Sequence, residues 1–236
     1  MIIGSGLLAK AFEVHQKTLG DACIYTAGVS NSACTDLREF EREQSRLKGT
    51  IQQQPSSSLF VYFSTCSVED PSVQRSPYVV HKSRMESHVK ERARHLIFRL
   101  PQVAGSTPNP HTLLNYLFAR IIRSERFEIW GGATRNIVDV EDIVHVATDL
   151  ITVEQACNET INIAAPRCYE MLEIVTTIGR VLNHAPIFDI IDKGCGYNID
   201  ISRISASLER CGINFGADYL DQVIRKYYGA TADGCN

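Results

Sequence analysis

The sequence predicts an α/β fold built on a doubly wound parallel sheet, and three observations carry that expectation. Over the first hundred residues, short apolar runs alternate with helical patterns, as repeated β-α units require. The runs Cys23 to Ala27, Leu59 to Phe63 and His95 to Leu100 are rich in aromatic and β-branched residues, as strands covered on both faces are. A glycine turn, Gly4-Ser5-Gly6, separates the first apolar pair, Ile2-Ile3, from the first helical pattern.

Taken in order, Ile2 and Ile3 give a strand and Leu7 opens a helix lasting to about Gly20. The strand from Cys23 stops at Gly28. A charged, helix-prone stretch from Asp36 to Gln54 is then broken by Pro55 and three serines. Leu59 to Phe63 delivers Ser64, Thr65, Cys66 and Ser67 at a strand's carboxyl end, where open α/β sheets hold their ligands. Pro77 starts a helix to about Arg94, and the strand from His95 to Leu100 is closed by Pro101. The second half is less regular. It begins with a Pro- and Asn-rich loop from Ser106 to Pro110 and a helix from Thr112 to Arg123. A strand from Phe127 to Trp130 ends at Gly131-Gly132, and helices follow Asp139 and Tyr169. A strand at Thr160 to Ile163 and a closing helix from Tyr219 to Tyr228 complete it. The expected division is a dinucleotide-binding core over 1–105 and, over 106–236, mainly a small C-terminal α/β substrate-binding lobe with returning core segments. The two form one unit, because no linker long enough to part them is present.

Composition narrows the function classes. With 44% hydrophobic and 22% charged residues the chain folds as an ordinary globular protein. A net charge of −3 and the lack of Lys/Arg runs speak against nucleic acid. No apolar stretch approaches the ~18 residues of a membrane span, and no basic leader precedes an apolar segment, so a cytoplasmic protein is expected. Eight scattered cysteines (Cys23, Cys34, Cys66, Cys157, Cys168, Cys195, Cys211, Cys235) without a C-x-x-C pair read as free thiols in a reducing compartment. His81, His88 and His95 recur every seven residues, about 10 Å apart along a helix, which is too far to share a metal ion.

Two motifs carry chemistry. Gly4-Ser5-Gly6-Leu7-Leu8-Ala9 fits G-x-G-x-x-A: the first glycine permits the turn, the second lets a phosphate approach the backbone, and Ala9 keeps helix close to strand. The acidic residue expected ~20 positions later to hold a ribose is missing, since Asp21 precedes the next strand, so NAD and NADP both stay open. Tyr78 and Lys82 stand four residues apart on one helix face. An adjacent ammonium favours the phenolate and is expected to draw the phenol's pKa down toward neutrality, so that Tyr78 can exchange a proton with a substrate oxygen while a dinucleotide exchanges hydride.

Further segments fall in a familiar order. They are Ser64-Thr65-Cys66-Ser67-Val68, Ser76-Pro77-Tyr78 through Lys82, Arg99-Leu100-Pro101-Gln102-Val103-Ala104-Gly105, Arg135-Asn136-Ile137-Val138-Asp139-Val140-Glu141-Asp142 and Thr160-Ile161-Asn162-Ile163-Ala164. Together they resemble the extended short-chain dehydrogenase/reductase superfamily, in its NAD-dependent epimerase/dehydratase branch that acts on nucleotide sugars. The resemblance implies a Rossmann-type fold with Tyr78 as acid/base, Lys82 tuning it and holding the nicotinamide ribose, and Thr65 as the catalytic hydroxyl. It implies NAD or NADP bound by Gly4, Ser5, Gly6, Leu7, Leu8, Ala27, Gly28, Val29, Ser64, Tyr78, Lys82, Pro101 and Val103. It implies a nucleoside-diphosphate sugar held by Thr65, Ser67, Gln102 and Arg135, the arginine on the diphosphate.

Departures refine the expectation. Members that dehydrate the sugar carry Asp-Glu directly after the threonine; here Cys66 and Ser67 stand there, which speaks against 4,6-dehydration and leaves 4-keto reduction and C4 epimerisation, in pathways such as polysaccharide biosynthesis. Only one helix separates the glycine turn from Cys23, so the usual second and third strands are missing and with them much of the adenosine pocket. A catalytically weakened binding or scaffold protein of the same fold is the alternative. A homodimer through the Tyr78–Lys82 helix is implied, with His81 turned away from the pair and placed with Arg84 and His88 toward that face. Cys66 is expected to pack, Asp139 and Asp142 to cap a helix, and Trp130 to pack the small lobe.

Overall fold

The computed structural model describes residues 1–229; Cys235 lies outside the described residues. The first hundred residues alternate as expected: Ile2–Ile3 (β1), Leu7–Glu13 (α1), Cys23–Tyr25 (β2), Leu37–Gln53 (α2), Phe60–Thr65 (β3), Pro77–Lys90 (α3) and His95–Leu100 (β4). Local chemistry sets the boundaries. The Asp36 carboxylate caps α2 by accepting from the Arg38 N–H, and the Ser76 hydroxyl caps α3 by accepting from Val79 N–H with Pro77 in the first turn. α1 stops at Glu13, short of the expected Gly20, because its apolar stripe gives out: Phe12 is buried but Val14 is exposed, and turns carry the chain on to β2.

The rest comprises Gln102–Ala104 (β5), Leu113–Ile122 (α4), Phe127–Trp130 (β6), Thr134–Arg135 (β7), Ile137–Asp139 (β8), Val140–Thr152 (α5), Glu159–Asn162 (β9), Tyr169–Glu170 (β10), Met171–Leu182 (α6), Phe188–Ile191 (β11), Ser205–Cys211 (α7) and Tyr219–Tyr228 (α8). A five-stranded sheet runs in the order β1-β2-β3-β4-β9, every neighbouring pair parallel. Among the described residues no strand lies outside β1, as expected from the missing second and third strands, and β1 is the edge of this sheet. Three two-stranded pairings, β5 with β8, β6 with β11 and β7 with β10, build the second half.

Side-chain alternation assigns the helices to faces. Ile24, Val61, Phe63, Leu96 and Phe98 turn to one face, where they meet Phe12 of α1 and Val144 and Leu150 of α5. Tyr25, Phe60, Tyr62 and Ile97 turn to the other, against Leu47 of α2 and Met85 and Val89 of α3. A third cluster, with Leu117, Ile174, Ile178, Leu220 and Ile224, joins α4, α6 and α8 over β6.

This assignment has a topological corollary. From β1 to β4 the chain steps across the sheet in one direction, yet α1 covers one face while α2 and α3 cover the other. The β1-α1-β2 connection therefore has the opposite hand to the two that follow, and such crossovers are right-handed in about 98% of cases. The chain thus leaves β1 toward one face and β2 toward the other, and a crevice opens between their carboxyl ends, as it does at the point where a doubly wound sheet reverses order. The result is a shortened Rossmann-type fold. Among the described residues no helix is long and apolar enough to cross a membrane, and the seven cysteines are free.

Candidate functional site

A cavity of about 570 Å³ occupies that crevice. One end is the glycine turn. Gly4 has φ +137, and a Cβ there would lie 2.3 Å from Thr26 Oγ1, whose hydroxyl donates to the Ile3 carbonyl; only glycine fits. A Cβ on Gly6 would meet nothing within 4 Å, so the backbone there is open to the cavity. α1 follows with no side-chain cap and no acidic residue in its first turn.

The other end is built by β3 and α3. Ser64 and Thr65 come off the end of β3 and are buried; the Thr65 hydroxyl accepts from Ser67 N–H at 3.1 Å. Ser64 Oγ is buried without a hydrogen-bond partner while lining the cavity, an orphaned polar atom placed to meet a ligand. Tyr78, in the first turn of α3, is buried beside Thr65. Lys82 Nζ lies 5.9 Å from the centre of the Tyr78 ring. Every residue expected to hold a dinucleotide lines this cavity, as do Thr65, Ser67 and Gln102. Arg135 does not: it lies in β7, paired with β10, and its Nη1 donates to the Thr134 carbonyl at 2.8 Å.

The electrostatics differ from expectation at one point. The phenol of Tyr78 is pushed up, not down: burial raises it, the Glu43 charge raises it further, and the Thr65 hydroxyl opposes them. Burial is the larger cause, and the second is a residue that sequence reasoning missed. Glu43 of α2 is buried, and its Oε1 accepts from Lys82 Nζ at 3.1 Å and from Tyr62 OH at 2.8 Å. Lys82 also donates to Tyr62 OH at 3.1 Å. Burial alone would raise the Glu43 carboxyl, but Lys82, His81 and the Val29 N–H hold it at about 2. A signal existed, since Phe40, Glu43 and Leu47 follow helical spacing and put the carboxylate on the buried face of α2. Gly28 closes over the pair; a Cβ there would come within 2.6 Å of Lys82 Nζ and 2.9 Å of Glu43 Oε1.

His81 is corrected by the same packing. It does not face outward: it is buried, its Nε2 is 3.0 Å from Glu43 Oε2, and its ring stacks on Phe40 with centres 4.5 Å apart, because α3 packs that side on α2. Arg84 is exposed, and His88 bonds Gln44 at 3.0 Å. Cys66 is buried, donates to the Arg99 carbonyl at 3.3 Å, and burial pushes its thiol up, which suits packing rather than nucleophilic chemistry. Asp139 caps α5 by accepting from Glu141 N–H, and Asp142 accepts from Tyr219 OH at 2.6 Å. Trp130 packs at the small-lobe core with Lys193 Nζ 4.2 Å from its ring.

The mouth also went unpredicted. Asn109 Nδ2 donates to Ser30 Oγ at 3.1 Å, tying the 106–112 loop to the turn after β2, and Asn115 braces that loop by donating to the carbonyls of Thr107 and Asn109. Lys10, Arg46 and His111 line the same opening. A second cavity of about 620 Å³ adjoins it across Ala27–Ser30 and is walled by α2.

No protein-family model and no curated protein matches the chain. Solved structures do. RMD from Pseudomonas aeruginosa, complexed with NADPH, superposes with a TM-score of 0.75 at 15% identity over 98% of both chains. UDP-glucuronic acid 4-epimerase from Bacillus cereus, in complex with UDP-glucuronic acid and NAD, gives 0.70 at 18% identity over 96% of this chain and 79% of the other. dTDP-glucose 4,6-dehydratase from Bacillus anthracis, in complex with NAD, gives 0.69 at 12% identity over 97% and 80%. These likenesses are likenesses of fold. The chain has the fold of the extended short-chain dehydrogenases/reductases of the NAD-dependent epimerase/dehydratase kind, in a version whose sheet ends at β1.

Proposed function

We propose that this chain is an NAD(P)-dependent oxidoreductase or epimerase of a nucleoside-diphosphate sugar, working by 4-keto reduction or C4 epimerisation and not by 4,6-dehydration. One observation carries the proposal: Tyr78, Thr65, Lys82 and the unpartnered Ser64 hydroxyl meet at one end of a cavity whose other end is the open backbone of Gly4-Ser5-Gly6. The residues fit a dinucleotide. The open backbone of the glycine turn would hold its pyrophosphate, and Ser64 and Lys82 would hold its nicotinamide ribose. When bound, it supplies or accepts hydride at the reacting carbon.

The chain's own part is to hold and protonate. Thr65 hydrogen-bonds the reacting oxygen of the sugar, Tyr78 exchanges a proton with it, and the Asn109–Ser30 hydrogen bond ties the loops at the cavity's mouth together. Ser67 and Gln102 hold the sugar. With Arg135 outside the cavity, the cations available to a diphosphate are Lys10 and Arg46, with the His111 ring lining the same opening. Residues 1–105 bind the dinucleotide and 106–236 mainly the sugar nucleotide; two copies pair through the exposed side of α3 at Arg84.

The test is Tyr78→Phe assayed with NADH and NADPH against nucleoside-diphosphate 4-keto sugars, and with NAD and NADP against nucleoside-diphosphate hexoses. Turnover is expected to fall by about 10²–10⁴-fold while the melting-temperature rise on dinucleotide binding persists. Equal turnover in the variant refutes the mechanism; no rise with either dinucleotide refutes the function.

A further inference from the structure

Glu43 is a carboxylate with its accepting capacity filled from four directions. Besides Lys82 and Tyr62 on Oε1, its Oε2 accepts from Val29 N–H at 2.7 Å and meets His81 Nε2 at 3.0 Å. The four partners come from the turn after β2, from β3 and from α3. The side chains of Glu43 and Lys82 are 1% and 3% exposed, so each ion offsets much of the cost of burying the other.

The pairing alters what Lys82 does to Tyr78. A lone ammonium beside a phenol favours the phenolate, whereas an ammonium matched by a carboxylate 3.1 Å away presents a dipole. The titratable groups around Tyr78 are Glu43 from α2, His81 and Lys82 from its own helix, Tyr62 from β3 and Cys34 from the loop before α2. Of these, Glu43 and Lys82 form the charged pair, and the carboxylate offsets what the ammonium would do to Tyr78. Two of the three Lys82 N–H groups are spent on Glu43 and Tyr62, which leaves one for the cavity it lines.

We propose that Glu43 is a positioning residue that offsets the Lys82 charge, aims its remaining N–H into the cavity and keeps Tyr78 protonated, so that the site is set to donate a proton and works in the reductive direction. This rests on the proposed function and deepens it. In that direction the substrate's C=O π bond breaks, its carbon gains hydride from the reduced dinucleotide, and its oxygen gains the Tyr78 proton. The carbonyl is reduced, the dinucleotide is oxidised, and Tyr78 recovers its proton from solvent. A sugar carrying a ketone is thus the preferred substrate class, and an epimerisation that starts with Tyr78 as base is disfavoured.

The experiment is an alkaline titration by carbon NMR of protein labelled at tyrosine Cζ, with the Tyr78 signal assigned by its loss in Tyr78→Phe. In the wild type, Tyr78 should stay un-ionised across the alkaline range that the fold tolerates. Glu43→Gln should bring its midpoint down by about one to three pH units, the shift an uncompensated neighbouring charge imposes. Glu43→Gln combined with Lys82→Met should restore wild-type behaviour. Identical titrations in wild type and Glu43→Gln, or a wild-type Tyr78 that ionises near neutrality, overturn the proposal. Should Glu43→Gln not fold, Glu43→Ala provides the same comparison, since water can occupy the vacated space. The titration uses no dinucleotide, so its failure is distinct from that of the proposed function, which would show as a melting temperature indifferent to NADH and NADPH.

Discussion

At Glu43, one carboxylate links the stability of the fold to the chemistry of the site. Its folded-state value of about 2 lies below the usual 4.5, so its contribution is complete above about pH 4.5 and is lost as the pH falls toward 2. Over that window the loss is expected to be on the order of 3 kcal/mol, at about 1.4 kcal/mol per pH unit. Urea unfolding followed between pH 5 and pH 2.5 should show wild-type stability falling more steeply than that of Glu43→Gln; parallel curves would exclude this linkage. The residue scale is also where legibility divides most sharply. Tyr78 and Lys82 were readable because their relation is local, four positions on one helix. Glu43 reaches Lys82 across 39 positions, a distance that no spacing within the sequence encodes, and only its place in the Phe40-Leu47 stripe hinted that it was buried.

Among elements, the long ones were legible and the short ones were not. α2, α3, β3 and β4 have strong apolar patterns, caps and prolines, and they fall within a few residues of where the sequence put them. β5, β7, β8, β10 and β11 have two to four residues each, too few to show a period, and Ile190 of β11 is exposed, which blurs its pattern further. What fixes these pieces is tertiary. The Tyr219 hydroxyl of α8 accepts from the buried Asp139 N–H at the end of β8, at 2.9 Å, and donates to Asp142 of α5 at 2.6 Å. Tyr219→Phe should strip both partners and cost about 1–3 kcal/mol in chemical denaturation, with the fold retained. A loss under about 0.5 kcal/mol would mean that the hydroxyl does not pin α8.

For the molecule as a whole, the absence of strands beyond β1 was visible in the sequence because one helix alone separates the glycine turn from Cys23. The unusual hand of that connection was not, since hand depends on which face a helix takes, and α1 takes its face from Phe12 packing on Phe63 at 5.4 Å and from α5, which lies more than a hundred residues on. The consequence for ligands is direct. With β1 at the edge among the described residues, the adenosine end of a bound dinucleotide would have sheet on one side only, and no acidic side chain closes β2 to select a free ribose hydroxyl. NAD and NADP should therefore raise the melting temperature about equally at matched concentrations; affinities differing more than about tenfold, measured by calorimetry, would show that the second cavity or Arg46 reads the ribose.

That same border also governs how copies of the chain treat one another. β1 has two residues, of which only Ile2 turns its N–H and C=O outward, where a strand of ordinary length has five or six residues. A stray strand settling there would gain too few main-chain bonds to offset its own ordering. Brevity at this rim thus limits what a stray strand could gain there, an effect that other sheets obtain from charges, prolines or a covering helix.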